Sequence, residues 1–150
     1  MSTVLSRSNS DAGRQVDDQL GRINRRLHGS FAIGTVSQVR GELADVFLEC
    51  MDADWDGHNA LPVTYETYQL AERFLLNLPL GIRRPSIGAE PDGHLTLEWY
   101  GGVRRSVSVS IEPSGFVHYA ALVGPERAYG AKVFGDSVPQ VILDLIKRVS

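Results

Sequence analysis

The chain has 150 residues, 43% of them apolar, and a formal net charge of −3. That length suits one domain with a substantial core plus an arm. The charge is uneven: residues 1–30 carry five arginines against three aspartates, whereas six acids crowd between Glu42 and Asp56. Residues 31–150 carry ten basic against fifteen acidic residues, without the excess positive charge that displaces counterions from a phosphate backbone, so the body is not expected to bind nucleic acid, although the basic arm can still touch phosphate. Cys50 is the single cysteine, which excludes an intrachain disulfide and a cysteine-rich zinc knuckle. The sequence shows neither a signal-peptide core nor an apolar run of membrane length, so a cytoplasmic protein with no membrane partner is expected.

Residues 1–12 are small and polar and read as a flexible tail. In the arm that follows, Val16, Leu20, Ile23 and Leu27 are spaced four, three and four apart, a two-heptad stripe flanked by Arg25 and Arg26. So narrow a stripe needs something to dock on: the body, a second copy or another protein. Residues 28–38, with Gly29 and Gly34, read as a connector between this arm (1–30) and a body spanning 31–150. Val39, Leu43, Val46, Phe47 and Cys50 then define one apolar helical face. The segment DADWDGHNALP breaks that helix. Thr64 can cap the next, with Glu66 in its first turn, and the apolar spacing carries that helix to about Leu78.

After Pro85 the period changes from helical to alternating. Leu95, Leu97 and Trp99 share one strand face and His94, Thr96, Glu98 and Tyr100 the other. Gly101-Gly102 reads as a tight turn, after which Val107, Val109 and Ile111 point inward and Ser106, Ser108 and Ser110 outward. A strand over FVHYAAL follows, and GPERAYG leads to a short strand at AKVF. Ser137 and Gln140 form a capping box ahead of a closing helix. The expectation is an α+β fold: two helices, an antiparallel meander of four to five strands and a C-terminal helix, with the helices on one sheet face.

The stretch DADWDG sets Asp52, Asp54, Asp56 and Gly57 at the first positions of a calcium loop. The position of the closing bidentate glutamate is Val63, and Pro62 lies in the loop's closing turn. His58, His94 and His118 are far apart in sequence with no ligand-type spacing, and no nucleophile elbow or phosphate loop occurs. The architectural reading assigns Gly57 a positive φ, Asp56 a turn-capping role and Trp55 an anchoring one. No cofactor or metal is expected on that reading. Its competitor is a small metal-dependent hydrolase or nuclease using Asp52, Asp54 and Asp56.

The segment WDGHNALPV, with DGH at 92–94 and LEW at 97–99, resembles a group of small prokaryotic and phage-type proteins sharing W-D-G-x-x-A-x-P-[VI] and D-G-x-[LIV]-x-[LIV]-E-W. The likeness covers residues 55–122 and bears on Trp55, Asp56, Gly57, Ala60, Pro62, Asp92, Gly93, Glu98 and Trp99. It implies an accessory protein carried on mobile DNA and no defined activity. A non-enzymatic interaction factor is the expected function: an inhibitor, antitoxin-like, anti-defence or accessory protein. The expected contact residues are Leu20, Ile23, Arg25, Arg26 and Leu27 of the arm, through which a homodimer can form, with Asp54, Glu98 and Tyr100 of the body. Serines and Tyr119 would complete a polar recognition face around Glu98, with Arg104 and Arg105 available to pair with Glu98 across the hairpin.

Overall fold

The computed structural model describes residues 31–150. Its elements are α1 (Phe31–Cys50), α2 (Tyr65–Leu76), β1 (Ser86–Ala89), β2 (Leu95–Gly102), β3 (Arg105–Ile111), β4 (Phe116–Val123), β5 (Glu126–Val133) and α3 (Gln140–Val149). The strands form one antiparallel sheet in the order β1-β2-β3-β4-β5, so each pairs with its neighbour in sequence. The arm, with Leu20, Ile23, Arg25, Arg26 and Leu27, lies outside the described residues.

Alternation builds the core as expected. Leu95, Leu97, Trp99, Val107, Val109, Ile111 and Val117 are buried on one face of the sheet, against Leu43, Ala71, Phe74, Ile142 and Ile146 of the helices. Trp99, the largest fully buried side chain, donates its indole N–H to the Arg83 carbonyl at 2.7 Å, so its one polar atom is not stranded. Thr64 caps α2 by accepting a bond from the Thr67 amide at 3.3 Å.

Five expectations are corrected. Residues 31–38 are no connector: α1 begins at Phe31 and carries Gly34 inside it, an interior glycine costing about 1 kcal/mol against alanine, a cost the 20-residue helix absorbs. Helix α2 stops at Leu76, where Asn77 turns its side-chain amide back onto the Arg73 carbonyl at 2.7 Å and Pro79 follows. Gly101 and Gly102 belong to β2; the turn is Val103-Arg104, with Arg104 at φ 57° and a register shift between Tyr100 and Gly102. The last strand begins at Glu126, immediately after the Gly124-Pro125 turn. No capping box forms at α3: Pro139 takes the N-cap position without a side-chain bond, and Gln140 reaches Asp144 at 2.8 Å instead.

Candidate functional site

The aspartate stretch is a self-satisfied loop. Asp54 (φ 61°), Gly57 (φ 75°) and Asn59 (φ 63°) all adopt the left-handed conformation. Asp54 Oδ1 accepts the Asn59 amide at 2.7 Å, and Asp56 Oδ1 accepts the amides of His58 at 2.8 Å and Ala60 at 3.0 Å. The bond from His58, reinforced by that from Ala60, holds the Asp56 carboxyl below its ordinary pKa. Trp55 closes the loop through its indole N–H to the Leu61 carbonyl at 2.9 Å. It is half-buried, its ring packed against the border of the core.

This loop is clasped to the β1–β2 turn. The Leu61 amide donates to the Pro91 carbonyl at 2.8 Å, and the buried Gly93 (φ 88°) lies against the Pro62 backbone. Residues of the W-D-G segment and of the D-G-x-L hairpin therefore meet in space, and what they build together is a joint. Asp52, Asp54 and Asp56 form no group of converging ligand atoms among the described residues.

The opposite face of the sheet carries no described helix. Along each strand the residues alternating with the core point there: Glu98 and Tyr100 from β2, Ser106, Ser108 and Ser110 from β3, Phe116, His118, Ala120 and Leu122 from β4, Arg127, Tyr129, Ala131 and Val133 from β5. Tyr100, Phe116, Leu122, Tyr129 and Val133 are all exposed, Tyr129 at 84%. The face is thus serine-lined at its centre and apolar toward β5. Tyr119 does not belong to it. It stands opposite Val109 on the helix side, with its ring over Gly130. Among the described residues Glu98 has no ion pair with Arg104 or Arg105; Arg105 instead donates to the Arg148 carbonyl at 3.3 Å.

At the end of this face nearest the clasp, registration aligns a row of alternating acids and imidazoles that sequence spacing could not reveal. Glu90 follows β1, His94 precedes β2, Glu112 follows β3 and His118 lies in β4, all on the open side. His94 Nε2 and His118 Nε2 both approach Glu112 Oε2, at 3.7 and 3.3 Å, and the two rings are parallel within 7° with centroids 6.5 Å apart. His94 Nδ1 is 3.3 Å from Asp92 Oδ2 and 3.3 Å from Ser110 Oγ, and Thr96 donates to Glu90. The Ser114 hydroxyl first, and His118 second, hold the Glu112 carboxyl below its ordinary value. Glu90, Asp92 and His94 bring one ligand atom each within 4.8 Å of one another, a set able to accept a divalent cation of intermediate softness. Each member already has a protein partner, as acids and histidines on a wet sheet usually do.

Two other features complete the picture. An apolar groove of about 780 Å³ lies between the start of α1 and the segment after α2, bordered by Val36, Leu76, Leu80 and Ile82. Cys50 is buried at the end of α1, and that burial, with Glu49 adding to it, pushes its thiol up to about 11, which makes it a poor nucleophile. No described helix is long and apolar enough to cross a membrane. Comparison with known protein families, curated proteins and solved structures finds no match to this chain.

Proposed function

We propose that the protein is a non-enzymatic binding factor that engages a partner protein through the open face of its sheet. One observation carries this reading: Tyr100, Phe116, Leu122, Tyr129 and Val133 are exposed together on a face that no described helix covers. A run of aromatic and aliphatic side chains among serines has the make-up of a binding surface, with contact area from the rings and adaptable bonding from the hydroxyls. Glu90, Glu98 and Glu112 give the face acidic character, so the partner suited to it presents an apolar strip bordered by lysine or arginine. With the resemblance described above, this favours an inhibitor, antitoxin-like, anti-defence or accessory factor of a bacterial or mobile element, acting in the cytoplasm.

A hydrolase built on Asp52, Asp54 and Asp56 is the weaker proposal, since Asp54 and Asp56 spend acceptor capacity on loop amides. Site-specific photo-crosslinking separates the two readings. A crosslinker at Tyr100 or Leu122 is expected to capture a discrete partner in the native cell, whereas one at Leu80, exposed beside the groove, is not. Equal capture at all three positions, or metal-dependent hydrolysis that disappears in Asp54→Ala, would overturn the proposal.

A further inference from the structure

Among the described residues, strand β5 ends the sheet with its outer edge unpaired. It spans Glu126–Val133, twice the length of β1 at the other edge, and most of its residues are exposed. No described helix lies over it, and α3 reaches it through the ion pair between Arg148 and Glu126 at 2.9 Å. A long free edge is a template for another strand.

Backbone direction along this edge is fixed by the hairpin. The Phe134 amide donates to the Gly115 carbonyl at 2.9 Å, continuing the β4–β5 register. Hydrogen-bonding direction alternates along a strand, so the even-numbered residues of β5 turn toward β4. Arg127, Tyr129, Ala131 and Val133 therefore aim their amides and carbonyls at the vacant side.

We infer that β5 pairs with β5 of a second copy, antiparallel and with the two-fold axis at Tyr129, joining two sheets into one. This goes beyond the partner-binding reading and is independent of it, because it uses the strand edge and not the sheet face. Charge selects the register. With the axis at Tyr129, Glu126 of each copy stands directly opposite Lys132 of the other on the helix side, in a position without hydrogen bonds, where side chains come closest. Tyr129 meets its own symmetry mate, and Arg127 faces Ala131. Moving the axis to Gly130 opposes Lys132 to Ala128 and Glu126 to Phe134, losing both direct charge pairs. Moving it to Ala128 opposes Glu126 to Gly130 and Lys132 to Gly124, again losing both. Of these three, only the Tyr129 register opposes unlike charges, and it opposes no like ones. The contact is isologous, so it closes at two copies and does not propagate.

The test is sedimentation equilibrium of the full chain. The protein is expected to dimerise with rising concentration. Lys132→Glu and Glu126→Lys, each of which sets like charges opposite one another twice, are expected to weaken dimerisation by about tenfold or more. An equimolar mixture of the two variants restores both unlike pairs across the contact and is expected to recover wild-type association, as is the double variant. Tyr129→Pro removes an outward amide on the axis and is expected to abolish pairing; circular dichroism checks its fold, and the charge exchange stands even where that variant fails. A chain that stays monomeric at all concentrations, its edge covered by its own residues 1–30 or by nothing, overturns the inference. So does a dimer that neither single charge variant weakens, or a mixture that associates no better than its components.

Discussion

The α-carbon of Gly93 is pressed against the carbonyl oxygen of Pro62: a Cβ built there would lie 2.9 Å from it, on a backbone at φ 88°. Gly93→Ala must strain the backbone and push the loop from the hairpin turn, and a loss of about 1–3 kcal/mol is expected in urea unfolding. Gly88→Ala is the control. It lies in a strand with nothing within 4 Å of a new Cβ and is expected to be nearly neutral.

Gly101 is the stricter position. A Cβ there would come within 1.9 Å of the Val149 carbonyl, so α3 must lift from the sheet in Gly101→Ala. Loss of the cooperative thermal transition, or a large drop in its midpoint, is expected, since Val149, Ile146 and Leu145 would all leave the core with the helix.

The two tryptophans should differ. Trp99→Ala empties a fully buried site and is expected to cost about 3–5 kcal/mol. Trp55 is half-buried, so Trp55→Ala should cost less, and Trp55→Phe, which removes chiefly the bond to the Leu61 carbonyl, about 1 kcal/mol. Equal losses at both positions in denaturant titrations would contradict this ordering.

Acid should loosen the loop through Asp56. Its folded-state pKa is depressed, so its contribution is complete above the ordinary aspartate value and disappears as pH falls through the lower, folded value. Asp56→Asn is expected to lower the melting temperature at neutral pH and to flatten its fall on acidification. Parallel pH profiles for the two proteins would remove this role.

Cys50 should resist alkylation in the folded protein at neutral pH, being buried and protonated, and react readily in denaturant. Fast modification by iodoacetamide under native conditions would place the thiol at the surface.

Much of the architecture was legible because alternation is a strong signal: Leu95, Leu97 and Trp99, then Val107, Val109 and Ile111, marked two strands and their inner face. Strand β5 was less legible, since Ala128, Gly130 and Ala131 have little strand propensity and pairing with β4 decides their conformation. The start of α1 was hidden by Gly34, which reads as a breaker along the chain but lies inside the helix. In the candidate site, Asp56 and Gly57 behaved as turn chemistry requires. The row of Glu90, His94, Glu112 and His118 could not be read, because its members meet through register across four strands and not through spacing along one.

The meander order has a practical consequence. Its reversals alternate between two ends of the sheet: the bends near Asp92 and Pro113 emerge at one, those at Val103-Arg104 and Gly124-Pro125 at the other. A dye grafted at Val103, 86% exposed, would therefore sit a full strand length from the paired imidazoles but next to Tyr100 and Leu122, where it could report on a partner seated at that end of the open face.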